Sequence, residues 1–159
     1  MERKIAELAG LFLNEVSALR HELHKIPETA GKEFKTSALL RERLNALPLK
    51  VEKPYLATDV VALLNADSPG CNVTLRADID ALPVAEETPL PYRSEHPGTM
   101  HACGHDGHMA MLYGAARILC ELRSELPGSV RFLFQPGEEI AAMAKALLEA
   151  GAADHPEMD

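Results

Sequence analysis

The sequence predicts an α/β fold, a sheet flanked by helices, on three observations. Apolar residues recur at helical spacing in the first and last parts of the chain, short runs rich in β-formers stand between them, and helix and strand patterns alternate from residue 108 onward. At 159 residues the chain fits one domain or part of one, long enough to bury roughly two-thirds of the surface its unfolded form exposes. No internal repeat, low-complexity segment or compositional shift marks a boundary, so residues 1–159 read as one unit.

Ile5, Leu8, Leu11, Phe12, Val16, Leu19 and Leu23 fall three and four positions apart, the stripe of a long amphipathic helix over residues 5–26, which Pro27 stops. A second helix is expected over 36–46, with Thr36 as its cap and Ala38, Leu39, Leu40 and Leu44 as its apolar face before Pro48. Two short strands follow at 59–65 and 71–76, joined by Ala66-Asp-Ser-Pro-Gly70 in a hairpin-like or tight connection. Residues 77–104 carry Pro83, Pro89, Pro91, Pro97 and Gly98 without sustained periodicity, which describes a long ordered loop of the functional kind. A helix over 108–122, a strand over 129–135 and a helix over 140–150 ended by Gly151 complete the pattern.

Sixteen basic against twenty-four acidic residues give a net charge of −8, which disfavours nucleic acid and anionic membrane surfaces as partners. No window approaches the ~20 apolar residues a bilayer span needs, and the N-terminus lacks the apolar centre and cleavage site of a signal peptide. Cys71, Cys103 and Cys120 are odd in number and have no short paired spacing, so a reducing compartment, the cytoplasm, is expected.

Candidate chemistry concentrates in three places. His101-Ala-Cys-Gly-His-Asp-Gly-His108 holds three histidines, a cysteine and an aspartate at the mouth of a helix. In an extended stretch, side chains two apart point the same way, so Cys103 and His105 can face one metal, and Gly104 lets the backbone turn beside it. Thiolate and imidazole suit zinc and neighbouring divalent ions. A polar helix cap with a buried thiol is the plainer alternative, and the density of the octet outweighs it.

Gln135-Pro-Gly-Glu-Glu139 sets two carboxylates beyond the C-terminal end of an apolar strand, where open α/β sheets place ligands. One glutamate can coordinate metal while its neighbour acts as general base. Arg76, Asp78 and Asp80 lie at a strand end, and Asp78 can orient a ligating histidine or pair with Arg76. His21, His24 and His155 read as surface residues.

RHELHKIPE (20–28), LRADIDALPV (75–84), MHACGHDGH (100–108) and FLFQPGEE (132–139) together resemble the N-acyl-amino-acid amidohydrolase family, which includes hippurate hydrolase and the auxin-conjugate hydrolases, a branch of the aminoacylase-like di-metal metallopeptidases. The resemblance implies the N-terminal part of a catalytic domain with a mixed, largely parallel sheet. It implies Cys103, His105 and Glu139 as metal ligands, Glu138 as general base and Asp78 as a supporting acid. It further implies two divalent ions (Zn, Mn, Co or Ni), an N-acyl amino acid as substrate and a possible homo-oligomer.

The remaining histidine ligands and the family's lid and dimerisation domain are expected beyond Asp159, so residues 1–159 alone are expected to show negligible activity. An inactive remnant that binds metal or a partner stays open as the alternative, and a redox-sensing thiol at Cys103 is a weaker one. Ile140-Ala-Ala-Met143 stands where such proteins have a glycine-rich turn, and is expected to start the next helix early.

Overall fold

A computed structural model describes residues 1–157. In chain order the elements are α1 (Glu2–Lys25), α2 (Phe34–Asn45), β1 (Lys50–Val51), β2 (Val60–Leu64), β3 (Asn72–Asp78), α3 (His105–Glu121), β4 (Ser129–Gln135) and α4 (Met143–Glu149). Short 3-10 turns occupy Arg123–Glu125 and Glu138–Ile140. The α/β class and the mixed sheet match the expectation, but the sheet is not largely parallel, since one of its three pairings is parallel and two are antiparallel; β1 is an addition.

The sheet order is β1-β2-β4-β3. β1 with β2 and β2 with β4 run antiparallel, whereas β3 and β4 run parallel. The hairpin-like link expected between β2 and β3 does not make them neighbours, because β4 lies between them. All seven residues of β4 are buried, so its backbone groups need a strand on each side. Asn65, at φ 52°, turns the chain out of β2. The loops that open β3 and β4 then cross closely: a Cβ on Gly70 would lie 2.0 Å from the Pro127 carbonyl oxygen, and one on Gly128 2.1 Å from that of Cys71. Only residues without a side chain allow this approach.

Strand alternation sets the layers. Val60, Ala62 and Leu64 of β2 and Phe132 and Phe134 of β4 join Leu19, Leu23, Leu40, Leu44, Met109 and Ala116 from α1, α2 and α3 in the main core. Val61 and Leu133 point the other way, onto Leu147 of α4 and Ala152. Phe132 and Phe134 are fully buried, and truncation of such a ring to alanine costs about 3–5 kcal/mol.

Helix boundaries depart from the sequence reading in instructive ways. α2 starts at Phe34, and Thr36 lies inside its first turn, where its N–H and hydroxyl both donate to Glu28 Oε2 at 2.9 and 3.0 Å. Glu28, from the loop after α1, therefore serves the orphan donors that Thr36 was expected to cap. α4 starts at Met143, later than expected: Ala141, at φ 55°, closes the 3-10 turn and separates it from the helix. Ile140-Ala-Ala-Met143 thus delays the helix instead of advancing it.

Candidate metal centre

Parallel pairing of β3 with β4, in the register Asp78↔Gln135, makes both strands leave the sheet at the same edge. The segments that follow meet there. Asp80 is fully buried; its Oδ1 accepts the Glu138 N–H at 3.1 Å and its Oδ2 the Glu139 N–H at 3.0 Å. One carboxylate therefore fixes two successive amides of the Gln135-Pro-Gly-Glu-Glu139 turn.

The third segment of the site is the mouth of α3. His105 is the first residue of that helix, not part of an extended stretch, and Gly104 before it is left-handed at φ 90°. This turn, not strand alternation, brings Cys103 beside His105. Nδ1 of His105 lies 2.8 Å from the Asp80 backbone carbonyl and 3.5 Å from its Oδ1. A carbonyl only accepts, so Nδ1 carries the proton and donates, which aims Nε2 outward.

Cys103, His105 and Glu139 each offer a ligand atom, and these atoms all lie within 4.8 Å of one another. Sulfur, imidazole nitrogen and carboxylate oxygen together fit a borderline divalent ion such as zinc. Glu138 Oε2 stands 3.9 Å from His105 Nε2. The hydrogen bond to Asp80 pushes His105 up to about 9, against the downward pull of burial. Burial pushes Asp80 up, but hydrogen bonds from His105 and from the two glutamate amides outweigh it and hold the carboxyl below its ordinary range. A hydrogen bond to Glu139, with burial, raises the Cys103 thiol.

Asp78 sits elsewhere. Its Oδ1 accepts Arg76 Nη2 at 2.7 Å and Nε at 3.0 Å on a partly exposed edge, the ion pair the sequence left open. The carboxylate beside the histidine belongs to Asp80, two residues further on. The signal was present, since Asp80 belongs to the same Arg76-Ala-Asp-Ile-Asp run, but strand length decides which aspartate clears the sheet.

His24 was expected on the surface and is buried. Its Nδ1 is 3.0 Å from Asp106 Oδ2 and its Nε2 3.2 Å from Glu86 Oε1, and Arg20 Nε donates to the same Asp106 oxygen at 3.1 Å. These contacts tie α1 to the mouth of α3. His21 stacks on Tyr92, ring centroids 3.8 Å apart, and His155 is exposed as expected. His101 is buried, both ring nitrogens have no hydrogen-bond partner among the described residues, and burial lowers it to about 4. Beside Glu139 a cleft of about 450 Å³ opens between Thr29, Lys32, Ala81, Leu82, Pro83 and Ile140.

The model of peptidase family M20/M25/M40 matches residues 74–159, more than half of the chain and both halves of this trio. The chain belongs to that family. Among M20-related proteins, the N-acetylcysteine deacetylase of Bacillus subtilis is 46% identical over 134 residues, 84% of this chain and 35% of that protein. The N-acyl-L-amino acid amidohydrolase of Geobacillus stearothermophilus is 41% identical over 155 residues, 96% of this chain and 42% of that protein. The crystal structure of the Bacillus subtilis YXEP protein, a dinuclear metal binding peptidase from the M20 family, superposes with a TM-score of 0.87 at 43% identity over 92% of this chain and 41% of that one. This chain therefore spans well under half the length of those relatives. Among the described residues no helix is long and apolar enough to cross a membrane.

Proposed function

We propose that this chain supplies the first half of a metal-dependent amidohydrolase site acting on N-acyl amino acids. The observation that carries this reading is the convergence of Cys103, His105 and Glu139, from two separate segments, to within 4.8 Å, with a second carboxylate on Glu138 alongside. The names of the relatives support the substrate class, and the dinuclear description of the YXEP protein supports two ions in the complete site. Zinc, manganese, cobalt and nickel all remain compatible with the donor set.

Cys103, His105 and Glu139 would hold the metal, which when bound polarises a carbonyl and lowers the pKa of water towards ~7. Glu138, partly exposed and facing the same opening, accepts the proton from the attacking water and delivers it to the leaving amine. Asp80 is read as the positioning carboxylate, in place of Asp78, because it fixes both the ring of His105 and the amides of the two glutamates. The largely apolar cleft beside Glu139 suits an uncharged part of the substrate. Residues 1–159 are read as the N-terminal portion of a longer catalytic domain, a reading supported by the 35–42% share of the relatives' lengths. The free thiols of Cys71, Cys103 and Cys120 favour the cytoplasm.

Two measurements test the proposal. Equilibrium dialysis of this chain against zinc is expected to show binding that Cys103→Ser and His105→Ala each weaken; absence of zinc binding would sink it. The protein that contains this chain together with the remaining family ligands is expected to hydrolyse N-acetyl amino acids or hippurate in a chelator-sensitive way. Zinc binding without hydrolysis of any such substrate would favour the inactive remnant instead.

A further inference from the structure

Glu33 lies 104 residues from Gly137, outside every motif singled out above, yet its carboxylate reaches the turn that carries Glu138 and Glu139. We infer that Glu33 is a positioning residue for those two glutamates, a role that rests on the proposed metal site.

Glu33 is fully buried, and a buried carboxylate persists only where donors surround it. Its Oε1 accepts the N–H of Gly31 at 3.0 Å and the N–H of Gly137 at 3.0 Å, and its Oε2 accepts the Thr58 hydroxyl at 2.8 Å. Glu33 occupies the N-cap position of α2 but makes no side-chain cap; Glu28 receives the Lys35 and Thr36 amides instead. The side chain thus turns away from its own helix towards the site.

What it holds there is specific. The amides of Gly137, Glu138 and Glu139 are three consecutive donors, and each ends on a buried carboxylate oxygen, the first from Glu33 and the next two from Asp80. Gly137 is buried and left-handed at φ 61°. Asp80 alone fixes the turn at its far end and leaves the peptide entering Gly137 free to rotate. Glu33 removes that freedom, and with it the uncertainty in where the Glu138 and Glu139 side chains start.

The donor inventory supplies a discriminating pair of variants. In Glu33→Gln the amide oxygen keeps both N–H bonds, and the amide nitrogen donates to Thr58, whose hydroxyl accepts in turn, so every contact survives with roles exchanged. Glu33→Met fills nearly the same volume and accepts nothing. The test reads amide hydrogen exchange at Gly137 against Phe132 and Phe134 in β4, together with zinc affinity. In Glu33→Met, Gly137 is expected to lose protection while β4 keeps it, and zinc affinity is expected to fall about 10–100-fold. Glu33→Gln is expected to stay close to the unmodified chain in both readouts.

Unchanged Gly137 protection in Glu33→Met overturns the inference. So does loss of protection at Gly137 and β4 together, which marks Glu33 as a support of the whole fold. If the unmodified chain binds no zinc, the proposed function falls separately, and Gly137 exchange in the two variants still decides whether Glu33 holds the turn.

Discussion

Two left-handed glycines introduce the two halves of the trio, and they are built differently. Gly104, at φ 90°, precedes a 17-residue helix, and a Cβ on it would meet no atom within 4 Å. Gly137, at φ 61°, precedes only a three-residue 3-10 turn, and a Cβ on it would fall 2.4 Å from Met143 Sδ. The first site segment is held largely by its own helix, with His24 and Arg20 bracing Asp106 behind it. The second has almost no backbone of its own to lean on, and depends on buried carboxylates from remote parts of the chain. A short turn keeps a functional geometry only where the rest of the fold supplies acceptors for its amides.

The contrast can be broken most directly at the glycines. Gly137→Ala combines a left-handed alanine with a collision, and a loss of about 2–5 kcal/mol is expected from urea unfolding. Gly104→Ala carries the backbone penalty alone, about 1–2 kcal/mol. Equal losses would mean that the Met143 contact yields freely and that the two turns are equivalent.

Next in size is the difference between the two aspartates. Asp80→Asn leaves a single amide oxygen for contacts now shared by two carboxylate oxygens, and zinc affinity is expected to drop about 10–100-fold. Asp78→Asn removes half of a partly exposed ion pair with Arg76, worth about 0–1 kcal/mol, and is expected to leave zinc affinity unchanged. Zinc titrations of the two variants that coincide would dissolve the distinction.

The smallest effect separates the two ends of α3. Cys103 before the helix is exposed, whereas Cys120 near its C-terminus is buried, and burial pushes that thiol up to about 11 from an ordinary value of 9.0. The folded state therefore holds Cys120 protonated, so its contribution to stability is whole below about pH 9 and is lost as pH rises through about 11. Alkylation at neutral pH is expected to label Cys71 and Cys103 and to spare Cys120; labelling of all three in the folded chain would contradict this.

Much of this architecture was legible because it follows local periodicity. The stripe ending at Leu19 and Leu23, the apolar run of β4 and the His101-to-His108 octet each announce themselves within a few residues. What was not legible is long-range. His24 looks like a charged-face residue until Asp106 and Glu86 close on it, and Glu33 belongs to none of the motifs the sequence offers. The sequence reading favours Asp78, and only the register of β3 shows that Asp80 is the aspartate past the last paired residue. The hairpin-like link failed for the same reason, since nothing near residues 66–70 reveals that a strand sixty residues later will slide in beside β2.

The glycine crossing at the far end of the sheet acts on the metal side as a common origin does on two rulers. From Asn72↔Ser129 to Asp78↔Gln135 both strands count off seven residues, and each then runs two or three residues more to its carboxylate. Equal counts within the paired stretch bring the Asp80 carboxylate to the amides of Glu138 and Glu139. An insertion or deletion inside either strand would leave every site residue in place in the sequence and still pull the two halves out of step.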